Sequence, residues 1–441
     1  MTATIEILVQ PSRATLLLVL LGACTAKTGT ISLSLVTAPG STLLDGVERL
    51  HVIATSPHLE LDATRGATGF DLAFDLAADG SNGALIVDGY AAGGALVATG
   101  ASPAFPIAAL DASVAIYMAP PRSLLASPAV LATPVSRLAA GALTYGAILA
   151  GGADAAGMPS SALAIYNAFD HVLTPGLAMP AARAGQALGV AQGGIVYLFG
   201  GVDATGAATG NLWRFDTTVA PSGSYFDLGD HPELARADQA LVLVGADQLV
   251  LSGTPVVELA ALGNTLAPRA TPASLPASGA GLTTQDGVPS AIFGEAGQLV
   301  RFRADVVDTL PAAVPPDPIA TAMPPNSVVV AGSAAQLLRV DATSGAIATA
   351  AIATPRKDAA LAATARYLVV AGGTDAGGAI VGTAEVFDAS LAPVVTLPLV
   401  VPRTGASALP LPNGQIMIVG GVDATGAPIG TIELFTPDSV E

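Results

Sequence analysis

Asp154, Asp203, Asp375 and Asp423 each lie three residues after the first position of a Gly-Gly pair, and Arg137, Arg183, Arg356 and Arg403 stand upstream of the same pairs. Carboxylates and guanidinium groups that recur together can pair with one another, form a charged rim for a ligand, or, on the acid side, coordinate a cation. A calcium loop draws six or more oxygens from one short segment. One acid per loop falls short of that, and no metal is expected. Nor do these acids suit catalysis, because a neighbouring guanidinium lowers a carboxyl pKa and removes its proton. The expected arrangement is a set of structural ion pairs or a charged rim, each exposed pair worth ~1 kcal/mol or less.

These residues sit on a repeated unit. Residues 197–216 read YLFGGVDATGAATGNLWRFD and residues 417–436 read MIVGGVDATGAPIGTIELFT. Each has an apolar run, a Gly-Gly break, an Asp-bearing turn and a second run ending on an aromatic residue, which is two strands of a sheet module. Aligned copies begin at 151, 200, 252, 294, 332, 372 and 420 and read LAGG, LFGG, VLSG, IFGE, VAGS, VAGG and IVGG. A repeat of this length is characteristic of β-propellers. In the copies at 151, 200, 372 and 420 the closing aromatic (Tyr166, Phe215, Phe387, Phe435) follows after 15 residues, whereas the three middle copies are shorter. Asp and Arg are both absent from the copies at 294 and 332, and the copy at 252 keeps only Arg236.

The array from about residue 123 to 441 resembles kelch repeats. The features that carry the resemblance are the apolar run with Gly-Gly, the pairs Tyr166-Asn167, Phe215-Asp216 and Phe387-Asp388, and the segments Pro134–Arg137, Pro180–Arg183, Pro355-Arg356 and Pro402-Arg403. The chain departs from the family in lacking a Trp on the fourth strand; its one Trp, Trp213, is on the third. The resemblance implies a propeller. It does not extend to the copper oxidases of the family, whose Cys, Tyr and His ligands have no counterpart, because the one cysteine lies near the N-terminus and His171 and His231 stand alone. Asp-box repeats, a Gly-x-Ser-x-Gly elbow, a phosphate loop and a His-Glu-x-x-His helix are also missing from the sequence. No cofactor is expected.

Seven copies predict seven blades, and the last copy ends after its third strand. Residues 124–137 (LLASPAVLATPVSR) resemble residues 173–183, which supply a fourth strand to the first copy. They are expected to complete the last sheet and so close the ring without a free edge. The long hairpins fall on the sixth, seventh, first and second blades. Their face is therefore expected to step down over the other three by about 10 Å, at ~3.3 Å per strand residue. Arg236, Gln298 and Gln336 are the candidate partner-binding groups at that step, a concave place of the kind ligands use.

Upstream, residues 24–121 carry about seven short alternating runs, among them Ile31-Leu33-Leu35, Leu50-Val52-Ala54 and Phe70-Leu72-Phe74-Leu76. This spacing predicts an immunoglobulin-like sandwich. His51 and His58, either side of Pro57, are expected on the sheet surface. The fold class expected is all-β, a sandwich followed by a seven-bladed kelch-type β-propeller over residues 122–441.

Residues 1–23 read as a signal peptide. From Ala14 to Ala26 there are 13 residues without charge, too few to span a bilayer and suited to an h-region. Leu21-Gly22-Ala23-Cys24 resembles the bacterial lipobox, which makes Cys24 the expected lipid attachment site. Thr25 at the next position resembles outer-membrane rather than inner-membrane sorting. With 51 % hydrophobic and 12 % charged residues the chain is not disordered, and a net charge of −17 without any basic stripe argues against nucleic acid. The function expected is a monomeric, membrane-anchored scaffold of the bacterial cell envelope, with a propeller face that binds a protein or glycan. The alternative is a hydrolase or lyase of envelope polysaccharide, which would need two carboxylates ~5–10 Å apart in a cleft. Mass spectrometry of the native protein should find Cys24 acylated at the mature N-terminus; an unmodified terminus at Met1 or Thr2 would refute the anchor.

Overall fold

The computed structural model describes residues 4–10, 29–66, 69–70, 75–77, 81–106, 112–245, 248–260, 265–269, 272–295, 297–304 and 306–439. Cys24 and the apolar run before it lie outside the described residues. From residue 123 onward the described chain forms seven four-stranded antiparallel sheets. The first consists of Ala139–Leu143, Gly146–Ala150, Leu163–Asn167 and Val172–Pro175. The second to sixth follow in order over 187–230, 241–268, 279–311, 319–350 and 360–398. The seventh takes Ser407–Pro410, Ile416–Val419 and Thr431–Thr436 from the end of the chain and Ser123–Val130 from the start of the array. There Leu124 pairs with Phe435 and Ala126 with Glu433, and a bulge follows before Val130 meets Thr431.

The first strand of each sheet packs against the first strand of the next, and that of the seventh against that of the first. These are the architecture and connectivity of a β-propeller. The sequence dictates how closely the sheets converge. Second strands such as Gly146–Ala150, Tyr367–Ala371 and Ile416–Val419 are buried throughout and fill the space between sheets. Several first strands, such as Ala139–Leu143, Gly279–Thr283 and Ala360–Ala363, are rich in Ala and Gly, poor strand formers whose merit is small size. A Cβ on Gly141 would fall 2.5 Å from Leu188 of the next sheet, and one on Gly281 would fall 2.2 Å from the Leu243 carbonyl oxygen. Larger residues there would push neighbouring sheets apart.

The N-terminal unit has two main sheets. One orders Ala112–Tyr117, Gly29–Val36, Thr4–Gln10 and Asp75–Ala77, with parallel pairing at both outer contacts. The other orders Gly69–Phe70, His58–Gly66, Arg49–Thr55, Leu85–Tyr90 and Leu96–Ala101. Leu33, Leu35, Val114 and Ile116 meet Leu50, Val52, Leu85 and Val87 in a shared core. The strand at Thr4–Gln10 falls in the segment read as a signal peptide. Its sequence, TIEILVQ, is rich in β-branched residues, and it pairs with Gly29–Val36 along six residues.

His171 fastens this unit to the first propeller sheet. It sits at positive φ in the turn after Leu163–Asn167 and is buried. The Tyr117 N–H donates to its Nε2 at 3.2 Å, and the Tyr166 hydroxyl lies 2.7 Å from its Nδ1. Phe169 packs edge-on to Phe105 beside it, and the Ala115 N–H donates to the Phe169 carbonyl. On the far side the C-terminal tail adds a second fastening. Asp438 lies 3.0 Å from Arg122 and accepts from the Tyr367 hydroxyl, while the Ser439 hydroxyl donates to Asp88 of the N-terminal unit.

Burial pushes His171 down to about 4, against a smaller upward pull from the Ala115 carbonyl. A histidine lowered in the fold binds its proton more readily when unfolded, so the stability it confers is complete above about pH 6.5 and drains away as pH falls towards 4. Thermal unfolding of the native protein should therefore weaken across that window, and His171→Gln should flatten the slope while lowering stability at neutral pH. An unchanged slope in the variant would remove His171 from the account.

Candidate functional site

The Gly-Gly hairpins and the segments leading into the first strands lie side by side on one face, linked by bridges such as Ser136 with Ala153, Lys357 with Thr374 and Thr404 with Val422. On this face each repeated Asp closes its own hairpin. Asp203 Oδ1 accepts from the Thr205 N–H at 2.8 Å, the Thr205 hydroxyl at 2.6 Å and the Ala207 N–H at 3.1 Å. Asp423 repeats this with Thr425 and Ala427. Asp154 and Asp375 accept from the N–H groups two and four residues on. These are side-chain-capped turns, in which Asp stands in for a backbone acceptor. The Thr205 bonds, followed by the Ala207 amide and last by Arg183, hold Asp203 below the usual carboxylate range; the Thr425 and Ala427 bonds do the same for Asp423.

The arginines point elsewhere. Among the described residues none of the four aspartates makes a salt bridge with any of the four arginines, although Asp203 and Arg183 influence each other at longer range. The expected Asp–Arg ring is thus replaced by a different pairing. Arg403 donates to the carbonyls of Val401 (3.1 Å), Gly420 (3.2 Å) and Thr431 (2.9 Å) and to Glu433 Oε1 at 2.6 Å. The Glu433 carboxylate also accepts the Val400 and Val401 N–H groups. Arg356 and Glu385 form the same staple in the sixth sheet, with the ion pair at 2.5 Å and carbonyl partners at Thr354, Gly372 and Thr383. Both pairs are buried, and Arg403 and Glu433 are each 0 % exposed. Burial lowers both arginine pKa values while the adjacent glutamates raise them.

Arg183 and Arg236 occupy the same place in the second and third sheets. Arg183 faces Trp213, which stands where the glutamate would be, with its guanidinium carbon 5.4 Å from the ring centroid, and it donates to Asn211. Arg236 donates to the carbonyls of Leu234, Ser252, Thr254 and Pro255. Its guanidinium is therefore engaged within its own sheet, while the residue stays half-buried. Arg137 does not belong to the set at all. It lies two residues further on, at a left-handed position (φ 50°) shared with Gly185 (65°) and Asp238 (55°). From there it pairs with Asp238 across Gly185, Nε to Oδ1 at 3.2 Å and Nη2 to Oδ2 at 2.5 Å, both groups exposed. Beneath the pair the Gly185 N–H donates to the Arg137 carbonyl and the Asp238 N–H to the Gly185 carbonyl.

The face is uneven. Second and third strands are joined by eleven or twelve residues in the sixth, seventh, first and second sheets, and by five, two and five in the third, fourth and fifth. Gln298 opens the third strand of the fourth sheet, next to its two-residue turn, and Gln336 ends the short hairpin of the fifth. In the N-terminal unit His51 lies 3.1 Å from Asp62 and His58 lies 3.0 Å from Glu60. Glu60 is two residues from His58 on the same strand, whereas Asp62 comes to His51 from the adjoining strand, paired in register, a neighbour that a search along the sequence does not reveal. Glu385 and Glu433 were equally absent from the expected site. Their signal was present, since Glu stands two residues before the aromatic only in the two copies that carry Pro-Arg.

No family description matches the chain, and no curated protein matches it. Among solved structures it is similar to one titled "Structure of YjhT", with 12 % identity and a TM-score of 0.47 over 70 % of this chain and 96 % of that one.

Breaking a buried pair strands a charge and typically costs about 3–5 kcal/mol, whereas replacing both partners with apolar residues is near neutral. Glu433→Leu should accordingly destabilise the protein by an amount of that order in denaturant titration. The double variant Arg403→Met/Glu433→Leu should recover most of the loss. A double variant as unstable as the single one would mean that the pair is not acting as a unit.

Proposed function

We propose that this is a seven-bladed kelch-type propeller carried on an immunoglobulin-like sandwich, held in the bacterial cell envelope by a lipid on Cys24, with its hairpin face binding an envelope protein or glycan. The observation that carries the reading is the unevenness of that face. Four adjacent sheets raise long, Asp-closed hairpins and three adjacent sheets do not. The result is a ridge beside a lower floor, set on a rigid scaffold of the kind that positions binding loops. The Asp turns keep the ridge ordered before a partner arrives, which reduces the ordering cost of binding.

Gln298 and Gln336 mark the floor, and the Arg137–Asp238 pair supplies a charged group above it. Removal of residues 1–23 on maturation would take the strand Thr4–Gln10 with it and leave Gly29–Val36 and Asp75–Ala77 without the strand between them. The reading therefore requires the sandwich core around Leu33 and Leu50 to hold with that strand gone.

Envelope extract passed over the immobilised acyl-free protein identifies the partner. Gln298→Glu with Gln336→Glu, a change of surface charge, should reduce its capture severalfold while leaving the unfolding midpoint in place. Full capture by a folded double variant would exclude the floor as the site.

A further inference from the structure

The geometry points to a binding site for a free α-amino acid with an apolar side chain, between the seventh and first sheets and beside the base of the first sheet's long hairpin. Its origin lies in the Arg–Glu staple. The segments leading into the sixth, seventh and first sheets read Ile352-Ala-Thr-Pro-Arg356, Leu399-Val-Val-Pro-Arg403 and Leu131-Ala-Thr-Pro-Val135. The third-strand positions two before the aromatic are Glu385, Glu433 and Ala164. In the first sheet, then, Val135 and Ala164 stand where the other two sheets have arginine and glutamate. Both residues line a cavity of about 160 Å³. At 10–15 Å³ per water site that is room for roughly ten non-hydrogen atoms.

The backbone that grips the staple is retained around this cavity. In the sixth sheet Arg356 is held by the carbonyls of Thr354, Gly372 and Thr383. Their counterparts Thr133, Gly151 and Ala162 all line the cavity, and Gly151 has the same left-handed conformation as Gly372 (φ 61° and 63°). The Glu385 carboxylate is held by the N–H groups of Ala353 and Thr354, and Glu433 by those of Val400 and Val401. The counterparts are the N–H groups of Ala132 and Thr133, which have no protein acceptor among the described residues. By alignment with the sixth and seventh sheets, the first sheet keeps the backbone groups that there hold a guanidinium and a carboxylate, without either side chain.

An α-amino acid carries those two charges side by side, as the staple does at 2.5–2.6 Å. The α-ammonium would take the carbonyls of Thr133, Gly151 and Ala162, and the α-carboxylate the amides of Ala132 and Thr133. Apart from Ser160 the remaining wall is apolar, with Leu131, Leu138, Leu149, Leu163 and Leu173 its largest groups. That wall selects a branched aliphatic side chain such as that of leucine.

Calorimetric titration of the full chain with L-leucine, L-leucinamide and 4-methylpentanoate separates the contributions. Leucine should bind about tenfold more tightly than either analogue, the worth of one charge-assisted hydrogen-bond set. Ala164→Glu supplies the carboxylate from within and should abolish leucine binding, as should Val135→Arg, with each variant's fold checked by its melting transition. The proposal is overturned by absence of leucine binding to the native chain, by equal binding of the three compounds, or by undiminished binding in either folded variant. Loss of envelope-partner capture by the Gln298 and Gln336 variants concerns the fourth and fifth sheets, and those variants should bind leucine as the native chain does.

Discussion

The circle of sheets rests on one constraint: strands that lie nearest the axis must approach one another more closely than ordinary strand residues allow. Sheets that radiate from an axis are crowded at their inner edge and splayed at their outer edge. The sequence meets the crowding with Gly and Ala, as at Gly141 and Gly281, where a single added carbon would strike the neighbouring sheet. It meets the splaying with Val, Leu, Ile and aromatic residues on the second and third strands. The alanines of inner strands such as Ala139–Leu143 and Ala360–Ala363 follow from that geometry rather than from strand propensity.

Close inner packing leaves the segments that lead into each sheet to be fixed from their own side. The sixth and seventh sheets do so with a buried guanidinium and carboxylate that satisfy three carbonyls and two amides at once. Such a pair is a weak source of net stability, because desolvation offsets the attraction. Its contribution is directional: it admits one arrangement of the lead-in and penalises others. The second sheet uses cation–π contact with Trp213, the third uses carbonyls alone, and the first uses neither. The staple thus differs from sheet to sheet, and it does not track hairpin length, since the first sheet has a long hairpin and no staple.

Much of this architecture was legible in the sequence. The Gly-Gly breaks, the closing aromatics and the turn-forming Asp residues mark strand ends through local backbone chemistry, which one chain discloses by itself. The partners of the charged residues were not legible in the same way. Asp and Arg recur in the same copies, yet the Asp closes a turn within five residues while the Arg reaches inward to another strand. Counting from the glycines also placed Arg137 with Arg356, whereas its backbone conformation aligns it with Asp358 (φ 52°). A difference of two positions in an irregular lead-in moves a side chain from the buried side to the rim. The pairing of Arg356 with Glu385 depends on strand register, which repeats reveal only when third strands are aligned as carefully as second ones.

The seventh sheet imposes an order on the life of the chain. Its outermost strand emerges from the ribosome first among the propeller residues, and its other three emerge last. Ser123–Val130 must therefore wait, unpaired, while the six intervening sheets form, and the waiting strand is both a hazard and a latch. A chain cut short anywhere in its final stretch leaves not one ragged end but two exposed edges, at Ser123–Val130 and along the sixth sheet. Truncation within the seventh sheet would thus be felt at both ends of the array, because one seam joins them.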